Sequence, residues 1–368
     1  MPITGASAAR ATQDLVRLCH QGLDSAGLQQ RMLPALRRVM TIDAAFFATA
    51  DPNTLLFTGG HQDEPLVESR ELFLANEFGA PDVNKFADLA TSSRHVASLD
   101  EATRRDRSTS RRYREIMGPL GLGDELRAAL VVDRQCWGYV CLHREDHELG
   151  FTAGEAVLLA RVGPHLAHAL RQAVLLHDPD PPQRGEAPGV VLLGENLDVI
   201  AVTSEAQHLL STVEDGRPAS VALPVAVHSA AAALLALESG ATASPARPST
   251  RARTRPGGWL DIHASRLQSP NGGPPPIAVV LERAQAPSTA PLLLAAHGLT
   301  ARETEVARLV LRGASTTTIA NTLHISRHTV QDHLKGVFDK VGVSSRRDLV
   351  GHLLGSAQGR RPSEAPAR

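Results

Sequence analysis

The stretch Leu299–Leu354, LTARETEVARLVLRGASTTTIANTLHISRHTVQDHLKGVFDKVGVSSRRDLVGHLL, decides the fold of the carboxy-terminal part of the chain and points to the function of the whole. Thr300 stands three residues before Glu303, a capping box. Val306, Leu309 and Val310 then share one face until Gly313 stops the helix. A second helix starts at Ser315 and buries Ile319, Ala320 and Leu323. After only His324 and Ile325 a third begins at a new cap, Ser326. Two helices joined by so tight a turn form a helix-turn-helix.

At about 100° per residue, Val330, Leu334, Val337 and Val341 fall within a narrow arc of the third helix, the predicted buried stripe. The opposite arc carries His328, Gln331, Asp332, Lys335 and Asp339. His328, Gln331, Asp332 and Lys335 can hydrogen-bond base edges and lie in the part of a recognition helix that enters the major groove, so they are the predicted base readers. Ser326, Arg327, Thr329, Lys340, Arg346 and Arg347 are the predicted phosphate ligands around them. Eight basic residues against five acidic ones give this stretch a net charge of +3 in a chain whose total is −1. The excess is modest and suits DNA binding.

The segment resembles the DNA-binding domain of LuxR/FixJ-type transcription regulators, a tetrahelical helix-turn-helix. The resemblance is carried by Leu299, Thr300, Arg302, Glu303, Glu305 and Val306, then by Gly313, Ser315, Ile319, Ala320 and Leu323. It continues through Ile325, Ser326, Thr329, Val330, His333, Leu334 and Lys340, and closes with Gly342, Val343, Ser345 and Arg346. It implies that the third helix reads bases and that the fourth, Ser345 to Leu354, contributes dimer contacts through Leu349, Val350 and Leu353. Two positions depart from the family pattern. Gln331 stands where Lys is frequent, and Gly336 where Asn is frequent, which softens the helix by about 1 kcal/mol. Asp332 on the reading face either accepts from a cytosine amino group or repels phosphates and narrows the tolerated sites.

A chain of 368 residues allows two or three domains, and its 42% hydrophobic and 21% charged content is ordinary for a soluble protein. Cys19, Cys136 and Cys141 are too few and too scattered for a disulfide framework, and no apolar run opens the chain, so a cytoplasmic location is expected. The charge-free stretch Pro218 to Leu237 is read as a soluble helix rather than a membrane span, because it holds Pro224, His228 and serines and is rich in alanine.

Upstream, two helices over Gln13 to Met40 precede strands at Ala44 to Ala50 and Leu55 to Gly59, and Leu66 to Phe78 returns to helix. Ser93 to Ser98 is extended, Ser108 to Met117 is a basic helix, and Glu125 to Val132 pairs with Cys136 to His143. Thr152 to His177 is one long helix with Pro164 inside it. With the phrase from Pro119 to Arg127 and the Trp137-Gly138 strand, this order resembles a GAF domain, whose pocket implies a small-molecule effector of unknown identity. A proline-rich linker follows. Next come a hairpin at Val190 to Leu193 and Leu197 to Val202, helices at Ser204 to Leu210 and Leu223 to Leu237, and strands at Trp259 to Leu267 and Ile277 to Arg283, which resemble a PAS domain. Gly240 to Gly258 and Gln268 to Pro276 read as loops, and Pro287 to Gly298 as a tether.

The fold class expected is therefore multidomain α+β, with GAF-like and PAS-like α/β sensory domains before an all-α tetrahelical LuxR-type unit. The boundaries are a GAF-like domain at 1–177, a linker at 178–188, a PAS-like domain at 189–285, a linker at 286–298, the DNA-binding domain at 299–356 and a disordered tail at 357–368.

No phosphate-cradling glycine loop, paired-histidine zinc motif or nucleophile elbow occurs, so no catalytic residue, metal ligand or cofactor is assigned and the chain is not read as an enzyme. Cys136, Cys141, His143 and His147 crowd together. Because the cysteines are an odd number of residues apart on a strand they should face opposite ways, and they are read as buried structural thiols. His165 and His168 share a helix face at a metal-capable spacing and are read as helix-edge histidines. Arg104, Arg105, Arg107, Arg111, Arg112 and Arg114 are read as a solvated basic helix. The amino-terminal third lacks an acidic pair at the end of a first strand, so phosphorylation control is set aside.

The expected function is a sequence-specific DNA-binding transcription regulator, a homodimer controlled by an effector or partner, with RNA polymerase a candidate partner and no membrane contact. The competing class is a docking or dimerisation protein that uses its helix-turn-helix without DNA, which Asp332, Asp339 and the modest charge would suit.

Overall fold

The computed structural model describes residues 5–146, 149–176, 187–214, 223–240, 247–255, 257–268 and 275–354. Residues 178–186 of the expected linker, the 357–368 tail and His147 lie outside them. One compact unit takes in everything described up to Ala284, and a second begins at Gln285.

In the first unit, α1 (Gly5–Cys19) and α2 (Ser25–Arg37) are separated by Gly22 at φ 66°, and Asp24 caps α2 by accepting from the Gly27 amide at 2.7 Å. There follow β1 (Ala44–Ala50), β2 (Phe57–Gln62), α3 (Arg70–Leu74), α4 (Phe86–Thr91), β3 (Val96–Ser98) and α5 (Leu99–Ala102). β4 (Leu122–Val132) and β5 (Gln135–Glu145) form a long hairpin. Its two-residue turn holds Asp133 and Arg134 at φ 50° and 65°, the left-handed values that match strand twist in a tight hairpin. α6 (Ala153–Leu175) starts at a capping box made by Thr152 and Glu155. These strands make one antiparallel sheet in the order β2-β1-β5-β4-β3.

The next segment repeats that order. β6 (Gly189–Leu193), β7 (Val199–Val202), α7 (Ser204–Ser211), α8 (Val225–Glu238), β8 (Ser249–Arg253), β9 (Trp259–Arg266) and β10 (Ile277–Arg283) give a second antiparallel sheet, β7-β6-β10-β9-β8. Each sheet therefore sets its own second, first, fifth, fourth and third strands side by side. α8 carries apolar residues around nearly its whole circumference, and a helix of that kind must be buried. It packs against β8 and β9 of the second sheet and against β2 and the turn at Ala75–Gly79 of the first. Residues of both sheets and of α8 thus join one hydrophobic core. The stretch considered as a membrane span falls partly on α8, and no helix among the described residues is long and apolar enough to cross a membrane.

Four sequence expectations are corrected. β8 lies inside the expected loop Gly240 to Gly258, hidden in sequence by its polar run Ser249-Thr-Arg-Ala-Arg253. The expected basic helix Ser108 to Met117 is broken at Ser110, where a short turn at Arg107–Thr109 ends before the helical turns that close with Tyr113–Met117. Its arginines are not all solvated: Arg112 is buried, donating to Glu125 Oε2 at 2.6 Å from Nη2, and Arg107 pairs with Asp100 and Asp146 at 2.6 Å each. The opposite-face argument for the cysteines also fails. Leu130 pairs with Gly138 and Val131 with Cys136, so Trp137 is an extra residue in β5, a bulge that shifts the alternation, and both thiols enter the same core cluster.

The space between the first sheet and its covering segments is packed by Phe46, Phe57, Phe86 and Tyr139, with the Arg127 guanidinium 4.4 Å from the centre of the Phe86 ring. A more open groove of 1510 Å³ runs beside α6, between the end of α2 and β3.

Two buried histidines make this unit acid-sensitive. Burial, with the nearby Arg70, pulls His228 from 6.5 down to about 4, and burial brings His143 to about 4 against the pull of Glu125. The unfolded chain holds these protons more tightly, so stability should fall as pH drops from about 6.5 towards 4 and level off below that, by about 2 kcal/mol per histidine at about pH 5. Urea unfolding of His228→Gln should show roughly half the wild-type loss between about pH 7 and about pH 5; an unchanged loss would rule out His228 as a contributor.

Candidate nucleic-acid interface

The second unit is all helical: α9 (Ala286–Ala296), α10 (Ala301–Leu311), α11 (Thr316–Leu323), α12 (Arg327–Val341) and α13 (Arg346–Leu354). The starts of α10, α11 and α12 are each set by a side chain. Thr300 and Glu303 make the predicted capping box of α10, Ser315 caps α11, and Ser326 caps α12 by accepting from the Thr329 amide at 3.0 Å. α11 ends at His324, which takes a left-handed φ of 53°, and Ile325 N donates to Ala320 O at 3.0 Å. That closure leaves His324, Ile325 and Ser326 between α11 and α12, the predicted tight turn.

The predicted stripe is buried. Val330, Leu334, Val337 and Val341 join Val306, Val310, Ile319 and Ala320 in the core of this unit. The opposite side of α12 therefore faces outward. His328 and Asp332 are 89% and 65% exposed, with His328 Nε2 3.8 Å from Asp332 Oδ2. Gln331 and Lys335 are exposed beside them, and among the described residues their side chains have no partner. Asp339 is exposed further along the same helix.

The predicted phosphate set divides. Arg347 and Arg327 are exposed, and Arg327 donates to the Thr317 hydroxyl, tying the start of α12 to α11. Ser326 and Thr329 are engaged with each other in the cap. Lys340 and Arg346 have structural partners: Lys340 Nζ is 2.6 Å from Glu303 Oε2, and Arg346 donates to Ala314 O at 3.0 Å and Thr316 Oγ1 at 3.1 Å. The Lys340 bond explains Gly336. A Cβ there would lie 2.6 Å from Glu303 Oε1, so the missing side chain makes room for a carboxylate that serves both the cap and the ion pair. Burial pushes the Glu303 carboxyl up, and the bonds from Lys340 and Thr300 outweigh it, holding the group below its ordinary range.

The dimer residues are corrected. Leu349 and Leu353 are buried in the core of their own unit, where α13 packs on α9 and α10, and only Val350 of the three keeps partial exposure. The partner that sequence reading missed is α9, taken for a tether because Pro287 and Pro291 interrupt it. Pro287 sits within the first two positions, where a missing amide costs nothing.

A short-turned helix pair whose second member buries one face and presents its polar face outward is a helix-turn-helix DNA-binding unit. Residues 297–353 match the family of bacterial regulatory proteins, luxR family. They align with the spore germination protein GerE of Bacillus subtilis (strain 168) at 41% identity over 56 residues, 15% of this chain and 76% of that protein. The chain belongs to the luxR family, and this domain is that of a DNA-binding transcription regulator. Among solved structures, SdiA of Escherichia coli aligns at 10% identity and TM-score 0.33, covering 95% of this chain and 99% of that one. The VqsR LBD domain of Pseudomonas aeruginosa aligns at 14% and 0.32, covering 47% of this chain and all of that one. The GAF domain of an Acinetobacter phosphoenolpyruvate-protein phosphotransferase aligns at 12% and 0.32, covering 46% and 96%.

Glu303→Ala removes both the reciprocal cap of α10 and the α10–α12 ion pair. It should lower the stability of the helical unit by about 1–2 kcal/mol, read as a shift in the thermal unfolding of the full-length chain. Glu303→Gln, which can still cap, should recover part of that loss.

Proposed function

We propose that the chain is a cytoplasmic, sequence-specific transcription regulator that acts on DNA as a homodimer and is governed by a small molecule or partner sensed in its first unit. The observation that carries this is the outward face of α12, where His328, Gln331, Asp332 and Lys335 stand exposed over a fully buried stripe. In this reading those four meet base edges, while Arg327, Arg347 and the Ser326 end of the helix approach phosphates. Lys340 and Arg346 serve first to hold the helices in place. Two copies of α12 would enter successive major grooves of an inverted repeat, about 10 bp between centres. The GAF-like segment 1–177 and the PAS-like segment 189–285 are the proposed sensors. An effector would act by its difference in affinity between DNA-competent and incompetent arrangements, and RNA polymerase is the proposed downstream partner.

A second reading, a docking module without DNA, is favoured only by the carboxylates of Asp332 and Asp339 on the same face. Binding of genomic DNA fragments at varied salt separates the two. Lys335→Ala should weaken binding and lower the salt slope by about one, whereas Gln331→Ala and Asp332→Ala should change which sequences are preferred. Retention of wild-type affinity and preference by all three variants would overturn the assignment of α12, and absence of salt-sensitive binding by the wild type would favour the docking module.

A further inference from the structure

The register of the long hairpin in the first unit brings together three side chains that lie far from any DNA-binding element in sequence. Glu125 of β4 stands directly opposite His143 of β5, and Cys141, two residues before His143, shares its face of the strand. All three are buried. Cys141 Sγ lies 2.9 Å from Glu125 Oε1 and 3.2 Å from His143 Nε2, and those two atoms are 3.9 Å apart.

We propose that Glu125, Cys141 and His143 bind a divalent transition ion, with zinc the chemistry that suits the set. Thiolate, imidazole and carboxylate are the three ligand types zinc takes, and soft sulfur with nitrogen disfavours magnesium and calcium. The three donor atoms lie 2.9–3.9 Å from one another, close enough to share one ion. An ion at ordinary zinc–ligand lengths would lie near their plane, so tetrahedral closure takes shifts of about 0.5 Å in the Glu125 and Cys141 side chains. The remaining atoms of the set are already committed in a direction that leaves the corner available. Glu125 turns Oε2 to Arg112 Nη2 at 2.6 Å and to Arg127 Nε at 3.0 Å, so Oε1 is the oxygen presented to Cys141 and His143. Both arginines also have other carboxylates, Asp82 at 3.9 Å from Arg112 and Glu77 at 2.6 Å from Arg127. Nε2 is the ring nitrogen of His143 that faces Cys141 Sγ and Glu125 Oε1, while Nδ1 has no hydrogen-bond partner among the described residues.

Without an ion the site holds a proton. Burial, reinforced by Glu125, pushes the Cys141 thiol well above its usual range, while burial keeps the His143 ring neutral down to about 4. Binding breaks the S–H bond, releases that proton to solvent and forms the metal–sulfur bond, a net gain of one positive charge at the site. Three protein ligands leave a fourth coordination position on the ion. This proposal concerns the first unit alone and does not rest on the DNA-binding reading.

The chain has three cysteines, so Cys19→Ser with Cys136→Ser leaves Cys141 as the sole thiol and touches no member of the cluster. The full-length double variant should be refolded from urea with Co²⁺ present, which removes any question of access to a buried site. A thiolate-to-cobalt absorption band should appear, saturate at one cobalt per chain and disappear when Zn²⁺ is added. It should be lost when His143→Ala is added. No such band in a double variant that regains wild-type circular dichroism would overturn the proposal. So would a band of equal strength and affinity after His143→Ala, which would place the cobalt elsewhere. Failure of the double variant to refold moves the measurement to the wild-type chain, with the same two outcomes decided by the band and by its loss in Cys141→Ser.

Discussion

The burial of Val330, Leu334, Val337 and Val341 is the constraint on which the carboxy-terminal unit turns. Four side chains at helical spacing leave α12 one orientation, because turning any of them to water would cost about 1.5–3 kcal/mol each. With the stripe held against α10 and α11, the polar arc has nowhere to go but outward. The exposed polar face is thus a consequence of packing, and its position is tightened by bonds at both ends: Arg327 to Thr317 near the start, Lys340 to Glu303 near the finish.

The same logic explains which parts of this unit could be read in the sequence. Caps and stops are local chemistry, and Thr300, Ser315, Ser326, Gly313 and Gly342 stand where the helices begin and end. What could not be read locally was α9, whose prolines imitate a linker. Leu294 of α9 lies with Leu349 and Leu353 in one core, so the apolar residues that the resemblance assigns to a dimer contact are covered within the chain.

The first unit was legible where turn residues bound apolar runs: β1 and the hairpin of β4 and β5 follow from sequence, and so does the long helix α6. Its buried charges were not. A run of arginines reads as solvated because charges almost never lie inside unless paired, and the pairing carboxylates are distant in sequence. Arg112 and Arg127 meet Glu125 and Glu77 only once the sheet and its covering segments have formed. Such a network is a weak source of net stability, since desolvation of each charge offsets most of the attraction, but breaking one partner is costly. It therefore favours one arrangement of the interior over its alternatives.

Phe57 shows how a change in that interior would reach the second sheet. Its ring meets Phe46, Phe78, Phe86 and Tyr139 at 5.3–6.1 Å in the aromatic core of the first sheet. Its backbone is held from the other side: the amide donates to Ser229 Oγ on α8 at 3.2 Å, and the carbonyl accepts from Thr250 Oγ1 on β8 at 3.1 Å. Arg251 of β8 pairs with Asp51 just after β1, and Arg253 donates to Ala173 O of α6 at 2.7 Å. Close-packed interiors transmit displacement rather than absorb it. A shift of the hairpin that carries Glu125, Cys141 and His143 would move Tyr139 and hence Phe57, and neither bond to Phe57 can follow unless α8 and β8 move too. The two sheets therefore share one packed interior, tied across by these bonds.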